Sequence, residues 1–321
     1  MFAVSAARFS NDDPLSALEL GERPDPIAKD GWVTVEVKAA SLNHHDLWTL
    51  RGVGLKESAL PMILGTDAAG IDPDGNEVIV HALVGDPDYR GDETFDPSRS
   101  LLSEKHQGTF AEQLVVPRRN LVPKPAQLSM AEAACLPTAY LTAYRMLFTR
   151  GQCKPGATVL VQGAGGGVAT ACITLGQAAG LRVWVTSRDG GKRERALALG
   201  AEAAFETGAR LPDRVDAVME TVGEATWAHS MRSLKPGGSL VISGATSGFA
   251  PPADLTRLFF LQMNVLGSTM GTRDELVQLA QFLANTGARP LIDSEIPLAE
   301  ARDGFAKMHS GELFGKVVFV R

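Results

Sequence analysis

The chain has few cysteines, no long apolar run and no concentration of charge of one sign. Its 321 residues include only Cys135, Cys153 and Cys172. Three dispersed thiols make neither a disulfide framework nor a CxxC metal pair, and they suit a reducing compartment. No apolar stretch reaches the roughly 18 residues that span a bilayer. The opening segment MFAVSAARFS lacks the charged and apolar regions of an export signal. No membrane partner is expected, and the expected location is the cytoplasm. Net charge is -6, from 31 basic and 37 acidic residues, with the basic ones scattered. A polyanion finds no electrostatic footprint there, which excludes nucleic acid as a partner.

What is present is the composition of an ordinary globular protein, 45% hydrophobic and 21% charged. At about 150 residues per domain, the length predicts two domains. Residues 1 to 120 read as short strands between turn signals, such as the Pro73-Asp74-Gly75-Asn76 turn between Asp67 to Ile71 and Glu77 to Ala82. The stretch Gly85 to His106 is polar and aperiodic, as in a surface loop or flap. From Leu128 the pattern alternates. A helix is expected over Met130 to Phe148, then strand Thr158 to Gln162, helix Gly167 to Ala179, strand Arg182 to Ser187 and helix Lys192 to Leu199. Further strands and helices follow to Ser268. Such alternation predicts an α/β fold with a doubly wound parallel sheet. The last elements, a helix over Arg273 to Asn285, a strand near Leu291, a helix from Leu298 and a strand Lys316 to Val320, either extend that sheet or return to the first domain.

The run Val159 to Ala169 is an apolar strand, a glycine cluster and a helix start: Gly163, Ala164, Gly165, Gly166, Gly167, Val168. This is the context of a dinucleotide fingerprint. Glycines admit the pyrophosphate close to the backbone, and the helix N-terminus offers unpaired N–H groups and a positive dipole end. About 20 residues on, an NAD enzyme presents an acid to the ribose. Here the strand ends Thr186-Ser187-Arg188, and a hydroxyl with a guanidinium, helped by Lys192, suits the 2′-phosphate of NADPH. Asp189 keeps NADH open, since a shift of one or two residues would bring an acid to that place.

Together with the β-rich first half, Gly108-Thr-Phe-Ala-Glu-Gln-Leu-Val-Val-Pro117 and Gly315-Lys-Val-Val-Phe319 resemble the medium-chain dehydrogenase/reductase superfamily nearly end to end. Ser41-Leu-Asn-His-His-Asp46 and Leu64-Gly-Thr-Asp-Ala-Ala-Gly70 look most like its zinc-independent quinone oxidoreductase branch. The resemblance implies a GroES-like β-barrel domain over residues 1–121, completed by 287–321, and a Rossmann domain over 122–286. It also implies a homodimer. It places the zinc-ligand positions of the family on Asn43, Thr66 and Thr138, with Asp67 where a nearby acid would be. An amide and two hydroxyls are not a zinc set, so no metal is expected.

Without a metal, the alkoxide of a simple alcohol goes unstabilised, whereas a quinone or an α,β-unsaturated carbonyl accepts hydride and delocalises the charge. The expected reaction is therefore NADPH-dependent reduction of a small electrophilic acceptor. The resemblance places Asn43, His45, Asp46 and Thr66 beside the nicotinamide, Asn43 as amide donor to the substrate oxygen. His45 is the candidate proton donor, with a structural role as the alternative, and Asp46 orders the loop. The resemblance places Thr142 behind the nicotinamide ring, while Gly244, Ala245, Thr246, Ser268 and Met270 follow predicted strands at their carboxyl ends, where α/β sheets bind ligands, and Val222 is a further cofactor candidate; Lys316 either reaches the cofactor phosphates or is a surface lysine. Trp48 and Phe260 are candidate pocket walls. Two other readings are a zinc-dependent alcohol dehydrogenase and an NADPH-binding sensor or structural protein with little turnover.

Overall fold

The computed structural model describes residues 1–321 and divides into two compact units, residues 1–139 with 271–321, and residues 140–270. In the first unit β1 (Phe2–Ala6), β2 (Leu18–Glu22), β3 (Trp32–Ser41), α1 (His44–Leu50), β4 (Met62–Ile63), β5 (Asp67–Ile71) and β6 (Glu77–Val80) follow in turn. Then come the short antiparallel pair β7 (Leu83–Val84) and β8 (Ser100–Leu101), β9 (Gln113–Pro117), β10 (Leu121–Pro123) and α2 (Met130–Ala134). The sheet path β10-β6-β5-β3 is antiparallel, and β9 also pairs β3. Turn chemistry at Asp72 to Asn76 sets one hairpin: Gly75 takes φ +85°, and the Asp72 carboxylate accepts from the Asp74 and Asn76 backbone N–H groups.

The expected single helix over Met130 to Phe148 is interrupted. After α2, capped by Ser129 and Glu132, the backbone widens over Leu136–Tyr140, tightens into α3 (Leu141–Tyr144) and widens again over Arg145–Arg150. Pro137 cannot donate a backbone hydrogen bond, which accounts for the first break. The α2 segment packs on β3 and β5, so the first unit runs to residue 139 rather than 121.

The second unit is a six-stranded parallel sheet. Its elements are β11 (Thr158–Gln162), α4 (Gly167–Ala178), β12 (Arg182–Thr186), α5 (Gly190–Leu199), β13 (Ala203–Phe205), β14 (Val215–Glu220), α6 (Glu224–Ser233), β15 (Leu234–Ile242), α7 (Leu255–Phe260) and β16 (Asn264–Gly267). The strand order β13-β12-β11-β14-β15-β16 reverses direction between β11 and β14, the switch point at which such sheets bind ligands. Leu160, Val218, Leu234 and Leu240 fill its core.

The question left open by the last elements is answered by α8 (Arg273–Thr286), β17 (Ile292–Pro297), α9 (Ala301–Ser310) and β18 (Lys316–Val320). β18 pairs antiparallel with β3 and β17 pairs parallel with β18, so this segment belongs to the first unit. Apolar packing fixes the return. Phe319 stands edge-on to Phe110 at 5.0 Å between ring centres and stacks with Phe305 at 6.1 Å, all three buried. Each such pair adds about 0.5–1.5 kcal/mol beyond the area it removes from water. Phe319→Ala is expected to cost about 3–5 kcal/mol, read as a lowered urea midpoint for the first unit. A loss under about 1 kcal/mol would show that the aromatic cluster does not hold the segment in place.

Candidate active site and cofactor site

The site in the first unit begins where β3 ends. Ser41, Asn43, Thr66, Asp67, Thr138 and Lys316 come from four separate stretches, and their polar atoms form one network. Asp67, fully buried, accepts from Ser41 Oγ at 2.8 Å and from Asn43 Nδ2 at 2.9 Å. It also accepts from the Thr138 hydroxyl. Asn43 Nδ2 lies 3.1 Å from Thr66 Oγ1, which stands 2.9 Å from Thr138 Oγ1. Lys316 Nζ donates to Leu42 O at 2.7 Å and to Asn43 Oδ1 at 2.5 Å, and lies 3.6 Å from Asp67 Oδ2. Burial pushes the Asp67 carboxyl above its ordinary range, opposed by Lys316 and by these hydrogen bonds.

Counting hydrogens closes the network. The two Asn43 amide hydrogens go to Asp67 and Thr66, the Thr138 hydroxyl goes to Asp67, and the Thr66 hydroxyl goes to Thr138 or to Asp67. Two expectations change. Asn43 has no hydrogen left for a substrate oxygen. Lys316 is 2% exposed and its ammonium is committed to Leu42, Asn43 and Asp67, so it does not reach out to a phosphate. The signal for Lys316 was its position in Gly315-Lys-Val-Val-Phe319, but its partners lie more than 200 residues away in sequence and nothing local names them.

At the start of α1 the side chains diverge. His44 is exposed, whereas Asp46 is buried and accepts from Asn43 N and Gly65 N, both at 2.9 Å. Asp46 is therefore an ordering residue whose oxygens are occupied by backbone. His45 is half-buried, with Nε2 at 3.4 Å from Glu104 Oε1 and Nδ1 at 4.0 Å from Asp46 Oδ1. Burial pulls the imidazolium down, but the Asp46 and Glu104 carboxylates outweigh it and lift His45 to about 9. His45 Nδ1 makes no hydrogen bond. Glu104 is a residue that sequence reasoning missed. It sits in the aperiodic 85–106 stretch, where no pattern distinguishes one acid from another.

In the second unit the glycine loop leaves the carboxyl end of β11. Gly163 takes φ +85°, a left-handed conformation that favours glycine, and a Cβ there would lie 3.8 Å from Val222. A Cβ on Gly166 would meet nothing within 4 Å, so that face of the loop is open. No side chain caps α4, whose first-turn N–H groups remain available to an anion. Gly244 packs on Thr221, and Ser268 Oγ, past the end of β16, is buried without a partner. Met270 has φ +46° and, like Thr142 on α3, is buried. An open glycine face, an uncapped helix terminus and an orphaned hydroxyl fit a dinucleotide. At the β12 end Asp189 accepts from Lys192 N at 3.0 Å as the cap of α5, while Arg188 is exposed and makes no side-chain bond. Phe260, expected as a pocket wall, is 77% exposed on the outside of this unit beside Phe259.

The His45 shift fixes a pH dependence. A group whose folded value lies above its unfolded one near 6.5 stabilises the fold fully below that pH, and the gain is lost as pH rises through about 9. The stability difference between the wild type and His45→Gln is expected to be constant below pH 6.5 and to shrink between 6.5 and 9 in urea unfolding. A difference unchanged at pH 9.5 would disprove the carboxylate pairing.

Family models describing an alcohol dehydrogenase GroES-like domain and a zinc-binding dehydrogenase match residues 29–126 and 167–285. A crotonyl-CoA carboxylase/reductase of Cereibacter sphaeroides is 27% identical over 97% of this chain and 85% of its own. A 2-methylene-furan-3-one reductase of Solanum lycopersicum is 31% identical over 91% of this chain and 72% of its own. Among solved structures, an NAD-dependent alcohol dehydrogenase superposes with a TM-score of 0.91 at 31% identity, each chain covered completely. With a GroES-like unit, a Rossmann unit and relatives of this similarity over nearly its whole length, the chain belongs to the medium-chain dehydrogenase/reductase superfamily of nicotinamide-dependent oxidoreductases.

Proposed function

We propose that the protein is a zinc-independent, NADPH-dependent reductase of quinones or α,β-unsaturated carbonyls. The observation that carries this reading is the division of protons in the first unit. Every polar hydrogen of Asn43, Thr66 and Thr138 is spent inside the protein, while His45, lifted by Asp46 and Glu104, keeps its proton.

The donor set argues against zinc. Asn43, Thr66 and Thr138 supply an amide and two hydroxyls, the Lys316 ammonium lies among them, and no group of three His, Cys, Asp or Glu side chains is placed to hold a metal ion. A site of this kind has nothing to stabilise the alkoxide of a simple alcohol. A conjugated acceptor needs less, since its own oxygen takes the developing charge. NADPH, when bound, supplies the hydride to the electrophilic carbon or the quinone. His45 supplies the proton, at the α-carbon of an enone or the oxygen of a quinone, and Asp46 and Glu104 hold it charged until then. The crotonyl and methylene-furanone reductases named above have conjugated carbonyls in their names, which favours the same substrate class here.

The preference for NADPH is read from the β12 end. Asp189, the acid an NAD enzyme would turn to the ribose, is occupied in capping α5, and the Arg188 guanidinium is uncommitted. We assign the homodimer to the free edge of β16, where Val265, Phe259 and Phe260 are exposed. Such an edge is self-complementary across a twofold axis. A sedimentation mass of one chain would remove that assignment. Cys135 and Cys172 are buried free thiols, in keeping with a cytoplasmic protein. No helix is long and apolar enough to cross a membrane.

The test is oxidation of NADPH with quinones, enones and aldehydes, with and without a chelator. Turnover with quinones or enones, unaffected by chelator, is the expected result. Chelator-sensitive aldehyde reduction would overturn it in favour of a zinc-dependent alcohol dehydrogenase, and no turnover with any acceptor would favour a sensor. Arg188→Ala is expected to weaken NADPH binding by about tenfold or more, the scale of one charge-assisted hydrogen bond, and to leave NADH binding unchanged. An unaltered ratio of the two affinities would refute the 2′-phosphate assignment.

A further inference from the structure

The connection from β13 to β14, residues 206–214, carries no helix and runs beside α6. Between it and the last turn of α6 opens a cleft of about 460 Å3. That is within the roughly 300–1,000 Å3 of ordinary ligand sites. Arg210, Arg214 and Arg232 wall it, with His229 and Ser233 buried at its floor.

The floor is chemically closed. Ser233 Oγ donates to His229 O at 2.8 Å, and His229 Nε2 donates to Ala209 O at 2.8 Å. His229 Nδ1 accepts from the Gln162 amide at 2.9 Å. The walls are not closed. All three guanidinium groups are exposed and none has a hydrogen-bond or ion-pair partner. Asp213 is the one acid lining the cleft, and its Oδ1 accepts from Arg214 N at 2.7 Å.

Three unpaired cations at one concave place run against a chain whose net charge is -6. Fixed like charges repel, and a concave wall focuses their field outward. Guanidinium groups present five donors each in a planar fork, which matches the oxygens of a phosphate in pairs. The floor adds no free acceptor to attract a cation or a sugar hydroxyl.

We propose that this cleft binds a phosphorylated small molecule through Arg210, Arg214 and Arg232, separately from the cofactor at the glycine loop. The phosphate lies against the guanidinium walls, and His229 and Ser233 hold the floor in shape without donating to it.

The test is calorimetric titration of the full-length protein with inorganic pyrophosphate at low salt, alone and with saturating NADPH. Expected are saturable binding that weakens as salt rises, at least a tenfold loss in Arg210→Gln/Arg214→Gln/Arg232→Gln, and little change in Arg188→Ala. Arg232→Gln alone is expected to show a smaller loss, and unchanged melting of both variants would show that they fold. Competition by NADPH, or loss of binding in Arg188→Ala with retention in the triple variant, would place the phosphate at the cofactor site and overturn the proposal. Absence of saturable binding in the wild type would overturn it as well.

Discussion

The first unit depends on one buried contact, the Lys316 ammonium lodged between Asn43 and Asp67. Removing a carboxylate and an ammonium from water costs several kcal/mol for each ion unless the geometry supplies compensating partners. Here it does. Asp67 takes hydrogen bonds from Ser41, Asn43 and Thr138, and Lys316 takes the Leu42 carbonyl as well as Asn43. Because Lys316 is delivered by β18, the cation is in place only after the C-terminal segment has docked on β3. The aromatic cluster of Phe110, Phe305 and Phe319 drives that docking, so apolar burial and the polar network depend on each other.

That contact also decides which side chains remain free for chemistry. A network with all its hydrogens assigned is rigid and has little to offer a substrate oxygen, whatever residue types it contains. His45, one turn of chain away, is in the opposite condition. It is surrounded by Asp46 and Glu104, keeps its proton to about 9, and has a ring Nδ1 that makes no hydrogen bond and lies 4.0 Å from Asp46.

The second unit has a polar network of its own behind the cofactor loop. Gln162, at the end of β11, accepts from Thr186 at the end of β12 and donates to Ser230 and His229 on α6. Ser230 and Thr226 donate to buried Glu220 at the end of β14, which also accepts from Val222 N and Gly223 N. Three strand ends and the loop beside Gly163 are thereby joined. The glycine loop can stay open on one face because its other side is held by hydrogen bonds that involve none of the glycines from Gly163 to Gly167.

Much of the architecture was legible in the order of residues. Strand-helix alternation after Leu128 and the glycine cluster from Gly163 are local or pattern features, whereas Asn43, Thr66 and Thr138 were singled out only by the family resemblance. The interruption at Pro137 was legible in principle, although helical periodicity masked it. The partners of Lys316 and the pairing of Glu104 with His45 were not legible, because each joins residues far apart in the chain and no periodicity marks the partner. The sequence by itself determined two units, an open dinucleotide loop and the residue types available to the site, since those follow from backbone periods and glycine geometry. Only the tertiary structure decided that Asn43 donates to Asp67 and Lys316 lies beside it while His45 keeps its proton. Which hydrogens are spent depends on distances between strands and loops that meet only in the folded chain.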